Sequence, residues 1–173
     1  MDSGGHIDCI YMDFEKAIDK VPHRRLISKL HSYGIHSKII RWITDFLEKS
    51  NLELLSMANF LHGIRQGSIL GPLLFIIYIF EFCKDLQMKL YLYADDTKVY
   101  RHIYNSEDQD KLQNDINRVN DWADEWLLKL HIAKCYNVSY TANMGSFLNT
   151  NYYMSNGNVN YELKKWILLV IWE

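Results

Sequence analysis

Paired cysteines are what this sequence most plainly lacks. Cys9, Cys83 and Cys135 are widely spaced and no Cys-x-x-Cys occurs, so neither a disulfide framework nor a zinc site is indicated. Reduced, mostly buried thiols in an intracellular protein are the expectation. Strong charge of one sign is lacking too, the formal net charge being −2. A nucleic-acid partner would therefore have to be held by local patches, and global charge neither supports nor excludes one. The longest uncharged apolar run, Ile69 to Phe80, is too short to span a bilayer. Gly71 and Pro72 near its start suit a buried core helix, and no membrane partner is expected. Met1 to Gly5 is polar and acidic rather than a secretory leader. There is no internal repeat and no interdomain linker. What is present is 49% hydrophobic and 14% aromatic content over 173 residues, which fits one globular domain with room for a core.

Ile7 to Phe14 alternates, with Ile7, Cys9, Tyr11 and Asp13 on one face and Asp8, Ile10 and Met12 on the other. That pattern predicts a strand with an acid at its end. Pro22 then opens a helix to about Tyr33, with Gly34 as its stop. Its polar side gathers His23, Arg24, Arg25 and Lys29, a solvated surface or a face that meets phosphates. Ser37 caps a second helix carrying Ile39, Ile40, Ile43, Phe46 and Leu47 at helical spacing. Leu52, Leu54 and Leu55 in the following segment, Glu48 to His62, give a poor strand pattern. Gly63 to Pro72 is a glycine-rich loop entering an apolar helix from Leu73 to Phe82, an arrangement that lets backbone approach an anion. Ser106 begins a long helix to about His131, with Leu112, Ile116, Val119, Ala123, Trp126 and Leu130 on one stripe. Trp122 and Trp126 read as core anchors rather than a base-stacking platform. Tyr136 to Thr141 reads as a strand and Asn143 to Asn160 as an Asn- and Gly-rich loop. Trp166 to Trp172 is an apolar strand.

The centre of the chain is Tyr91 to Tyr100, in which Asp95 and Asp96 sit between two runs rich in aromatic and β-branched residues. The runs read as strands and the small Ala94 with the two acids as their turn. Adjacent carboxylates repel, and a chain needing only a turn is better served by Asn-Gly or Asp-Gly. The pair becomes favourable when a divalent cation neutralises it, since Mg²⁺ is held by carboxylate oxygens and waters. An isolated Asp-Asp is otherwise a solvated acidic turn.

The order of these segments carries a resemblance. Tyr11 to His23, containing Asp13-Phe14, resembles the first catalytic motif of reverse transcriptases from non-LTR retrotransposons, the jockey- and CR1-like LINE elements. Gly63 to Phe75 resembles their Gln-Gly motif, Tyr93-Ala94-Asp95-Asp96 matches their aromatic-Ala-Asp-Asp box, and Trp122 to Cys135 resembles the segment that follows it. The resemblance implies RNA-directed DNA synthesis with an RNA template, a DNA primer and dNTPs as partners. It implies two Mg²⁺ ions (Mn²⁺ as a substitute) held by Asp13 and Asp95 with Asp96 assisting. Phe14, Ile18, Gln66 and Gly67 would lie against nucleotide and template–primer. Lys134 matches a lysine proposed to protonate pyrophosphate, though a lysine there is equally an ordinary surface residue. The fold implied is α+β: a polymerase palm, an antiparallel sheet with helices packed on one face, truncated, without complete fingers or thumb. It would be a partial domain over 1–173, its palm core at about 7–141 and a degenerate end of the palm at 142–173. By resemblance its site of work is the nucleus.

Several positions depart from that pattern. Ile18 stands where the family has an aromatic that rejects the ribose 2′-hydroxyl. Arg65 replaces the proline before Gln66, the Leu47–Gly63 interval is short, His131 stands for Asn, and Lys164 to Val170 replaces the usual ending. Phosphate neutralisation dominates nucleic-acid affinity, and without the basic contacts expected from fingers and thumb the isolated chain is expected to be inactive or very weak. Two rival expectations are a non-catalytic nucleic-acid- or protein-binding module, salt-sensitive through Arg24, Arg25 and Lys29, and a decayed retroelement reading frame.

Overall fold

The computed structural model describes residues 4–52, 69–80, 89–93, 96–143, 145, 147–157 and 159–170. Alternation along 6–13 produces the first strand, β1 (His6–Asp13). Two helices follow, α1 (His23–Ser32) and α2 (Ser37–Leu52), then α3 (Leu70–Ile79). The hairpin β2 (Lys89–Tyr93) and β3 (Asp96–Ile103) leads into α4 (Ser106–Glu125). The chain closes with β4 (Tyr136–Thr141), a hairpin of β5 (Tyr153–Asn156) and β6 (Val159–Glu162), and β7 (Lys164–Leu169).

The main sheet runs β2-β3-β1-β4-β7. β1 lies antiparallel between β3 and β4, so the strand bearing Asp13 is central. β7 pairs parallel with β4, so the sheet is mixed rather than antiparallel throughout. The reason is the connection: the β5–β6 hairpin separates β4 from β7, and parallel neighbours need such a long crossover. One sheet face is sealed by helices. Ile10, Met12 and Phe14 of that face join Leu26 and Leu30 of α1, Leu74 and Tyr78 of α3, and Leu112, Ile116 and Val119 of α4 in a single core. Each such side chain contributes about 1.5–3 kcal/mol on full burial. The other face presents Tyr11, Asp13, Lys98 and their cross-strand neighbours.

Four features differ from the sequence expectation. α3 begins at Leu70 and takes Gly71 and Pro72 into its first turn, where a missing N–H costs nothing because that turn's donors have no helical acceptors. α4 ends at Glu125 rather than near His131, because Leu127 adopts φ 58°. The expected 143–160 loop contains β5 and β6, and the last strand is Lys164–Leu169 rather than Trp166–Trp172. Most of the Glu48–His62 segment, the loop with Gln66 and Gly67, Cys83, Ala94 and Asp95 lie outside the described residues. No described helix is long and apolar enough to cross a membrane.

Candidate active site

Asp13 closes β1 and Asp96 opens β3, and the two are directly paired across the strands. Tyr93 pairs with Asp96 on the other side. Asp95 itself lies outside the described residues. The carboxyl groups of Asp13 and Asp96 therefore come from two neighbouring strands.

Lys134 is delivered by a short run beside β1. After α4 the chain turns back through Leu127, and Phe14 forms a bridge with Leu130. The backbone N–H of Glu15 donates to Lys129 O at 2.7 Å, and that of His131 to Asp13 O at 2.8 Å. A single 3₁₀ turn, Ile132–Lys134, follows. It sets Lys134 Nζ 2.9 Å from Asp13 Oδ2. That oxygen is buried and has a neighbouring charge but no well-aligned hydrogen-bond donor. Lys134 keeps 64% of its side chain exposed, so it can move off the carboxylate.

Three adjoining cavities meet at Lys134. One of about 170 Å³ is lined by Asp13, Asp96, Thr97, Lys98 and Tyr136, among others. That is less than the roughly 300 Å³ of ordinary small-molecule sites, and suits ions or a phosphate rather than a whole nucleotide. A second, of about 480 Å³, runs from the same acids to Lys164 and Trp166. A third, of about 490 Å³, is bounded by Phe14, Glu15, Lys16, Lys20 and His131.

Phe14 thus borders the site although its side chain is 2% exposed and part of the core. Ile18 opens a 3₁₀ turn and packs against the core, and it is not in the lining of that cavity. Lys16, Lys20 and Lys98 were not singled out by sequence. A signal for Lys16 and Lys20 was available in their place inside the first motif, four residues apart. The basic face of α1 is only partly free. Lys29 is 3% exposed, donates to Tyr78 O and lies 4.0 Å over the Trp126 ring. Arg25 donates to Glu125 O. Lys29 therefore ties α1 to α3 and the end of α4, which corrects its reading as a salt-sensitive surface contact. Trp122 and Trp126 pack against the core as expected.

Asp8, five residues before Asp13, was read in sequence only as sharing a face with Ile10 and Met12. It is fully buried. Its carboxylate accepts hydrogen bonds from Ser139 Oγ, from Thr150 Oγ1 at 2.6 Å and from the Tyr152 hydroxyl at 2.7 Å. His6 Nε2 stands 3.1 Å away. Burial alone would push its pKa up, yet the partners, His6 first, together hold it below the ordinary carboxylate value. Burial raises the Cys9 thiol and lifts Cys135 to about 11, so neither is an activated nucleophile.

The family model described as reverse transcriptase (RNA-dependent DNA polymerase) matches residues 2–161. The chain is similar to the RNA-directed DNA polymerase from mobile element jockey of Drosophila funebris, 27% identical over 146 residues, covering 76% of this chain and 16% of that protein. It is similar to the probable RNA-directed DNA polymerase from transposon X-element of Drosophila melanogaster, 26% identical over 152 residues, covering 81% of this chain and 17% of that protein. A third relative is the probable RNA-directed DNA polymerase from transposon BS of Drosophila melanogaster, 25% identical over 158 residues, covering 81% of this chain and 17% of that protein. The chain thus spans no more than 17% of the length of any of these three relatives.

Proposed function

This chain belongs to the reverse transcriptase family, and we propose that it supplies the palm of a non-LTR retrotransposon RNA-directed DNA polymerase, whose reaction extends a DNA primer with dNTPs on an RNA template. The observation that carries the proposal is the pairing of Asp13 with Asp96 across adjacent strands, beside Lys134. Carboxylates from separate strands at one end of a sheet are the oxygen donors that Mg²⁺ takes. Asp13 Oδ2, buried without an aligned donor, is an acceptor that a cation satisfies. In this reading Asp13 and Asp95 hold two Mg²⁺ or Mn²⁺ ions and Asp96 assists. When bound, such ions supply charge stabilisation at the attacking and leaving oxygens of an in-line displacement.

The chain's own groups have separate tasks in this reading. Lys134 screens Asp13 before the ions arrive and, once displaced, has an ammonium proton to give to the departing pyrophosphate. Lys16 and Lys20 line the cavity on the far side of Lys134 and are placed to meet an anionic triphosphate. By family resemblance Phe14, Gln66 and Gly67 would border nucleotide and template–primer, whereas Ile18, packed against the core outside that cavity's lining, offers no ring to the sugar. A retroelement polymerase acts on chromosomal DNA, so the reading implies a nuclear site of work.

The test is metal binding. Mn²⁺ titrated into the chain and followed by the paramagnetic signal of the free ion should bind saturably. Asp13→Asn and Asp96→Asn should each weaken that binding by at least about 10-fold, the lower range for loss of even an outer-shell partner. Equal affinity in both variants would contradict the proposal.

A further inference from the structure

β7 ends the main sheet, and among the described residues no strand pairs with its outer edge. Natural proteins guard such edges with charges, prolines, bulges or a covering helix. Here Lys164 and Lys165 are followed by Trp166, Ile167, Leu168 and Leu169, with no charge, proline or glycine among them. Strand alternation sends these four to both faces. Trp166 and Leu168 pair with Val138 and Tyr140 on the helix-free side, and Ile167 and Leu169 with Ser139 and Thr141 on the side of Asp8 and Ile10. All four are between 45% and 62% exposed, so the helices that seal β1 leave Ile167 and Leu169 uncovered. The N–H of Val170 donates to Thr141 O at 2.9 Å. Backbone groups of successive strand residues point to opposite sides of the strand. The even-numbered residues therefore serve β4, and the N–H and C=O of Lys165, Ile167 and Leu169 face outward.

We propose that this edge is the interface of a homodimer, in which β7 pairs antiparallel with β7 of a second copy about a two-fold axis at Ile167. Ile167 then faces Ile167 of the second copy, and Lys165 faces Leu169 of the second copy. These are the residues whose N–H and C=O point outward, so each pair exchanges both hydrogen bonds. Between them Trp166 meets Leu168 of the second copy on one face, an apolar cross-strand pair. Charge decides the orientation. Antiparallel pairing sets Lys164 and Lys165 against Val170 and Leu169, whereas a parallel copy would oppose each lysine to its own counterpart. An isologous contact of this kind closes on itself, so two five-stranded sheets join into one and growth stops at two. Half-exposed large side chains along six residues on each side bring together about 1,000 Å², the lower bound for a specific interface. The dimer is accordingly reversible and of roughly micromolar affinity rather than obligate. Lys164 and Trp166 also border the second cavity, but Ile167, Leu168 and Leu169 line none of the three. The inference goes beyond the metal-dependent reading and does not rest on it.

The experiment is analytical ultracentrifugation of the full chain in EDTA, over a concentration range of about 1–100 μM that brackets micromolar affinity. The mass should rise reversibly from monomer to dimer and stop there. Ile167→Lys, which sets like charges directly opposite, should weaken the dimer by at least about 10-fold. Ile167→Pro should do the same by removing an outward donor from each copy, while sparing the β4 ladder because that N–H does not face β4. Melting temperatures at the lowest concentration check that both variants fold. A positive test needs no destabilised variant: Ile167→Cys should be joined to its own copy by a short bismaleimide, and Asp121→Cys, on α4, should not. A monomer throughout the range, a dimer equally tight in Ile167→Lys and Ile167→Pro, assembly that continues past two, or no cross-link in Ile167→Cys would each overturn the proposal.

Discussion

Asp8 shows how a single buried charge can be made into a fastening. Its partners reach it from β4, from the 147–152 segment and from its own strand. Tyr152, raised in pKa by burial and by the Asp8 charge beside it, stays a hydrogen-bond donor. Lys165, whose own pKa burial lowers, donates to Thr150 O at 2.7 Å and completes the cluster. Asp8→Asn should destabilise the chain by about 3 kcal/mol, as for other buried charged groups deprived of their match. Because the folded-state pKa lies below the unfolded value, the Asp8 contribution is fully present above about pH 4 and is lost as pH falls through the folded value. Denaturant titrations from pH 7 to pH 3 should therefore show a constant gap between the chain and Asp8→Asn that closes only below about pH 4. A gap that closes near pH 6 would assign the effect to another group. The sequence grouped Asp8 with Ile10 and Met12 on one face but did not show its role, since Ser139 and Tyr152 are 131 and 144 positions away. Lys134 poses the opposite case, being exposed and ion-paired. Lys134→Gln should change stability by less than about 1 kcal/mol. Removing its charge from Asp13 should tighten Mn²⁺ binding about fivefold, the value of roughly 1 kcal/mol for one charge at contact distance in water. Isothermal titration checks the second expectation, and weaker metal binding would mean that Lys134 supports the site rather than competing for it.

At the scale of elements, two helices end in the same way and only one end was legible. After α1, Gly34 takes φ 72°, its N–H donates to His31 O and that of Ile35 to Leu30 O. After α4, Leu127 takes φ 58°, its N–H donates to Asp124 O and that of Leu128 to Ala123 O. Both are Schellman stops. Glycine announces the first, whereas a leucine in a left-handed conformation carries no sequence signal and costs about 1–2 kcal/mol. Leu127 is 53% exposed, so little burial is lost on its removal. Leu127→Gly should accordingly raise stability by about 0.5–1 kcal/mol, read as a melting temperature about 1–4 °C higher. A lower melting temperature would mean that the leucine side chain holds the turn. This turn matters because the 129–134 run that carries Lys134 to Asp13 starts from it. The β5–β6 hairpin was legible in principle. Asn156-Gly157 is a strong hairpin signal, and Gly157 does take φ 60°, but the surrounding asparagines made the stretch read as loop.

At the scale of the whole molecule, the sequence order of motifs located the site more surely than it located the sheet. Alternation in β1 and β3 fixes which residues share a face, and the two acids follow from that. Sheet order does not, because it depends on which strand edges pair, and local periodicity is silent on this. Hence the parallel β4–β7 pair and the open edge beyond it emerged only from the register. The fold places Asp13, Asp96 and Lys134 together. The central claim is that these acids, with Asp95, converge on a divalent cation. Thermal melting with and without about 10 mM Mg²⁺, on the chain and on Asp95→Asn, tests it most directly. For a site of about millimolar affinity the ion should stabilise the fold by about 1.4 kcal/mol. That is a rise of about 3–6 °C for a domain of this size, present in the chain and absent in Asp95→Asn. A cooperative melt that Mg²⁺ leaves unmoved, or an equal rise in both proteins, would contradict the claim.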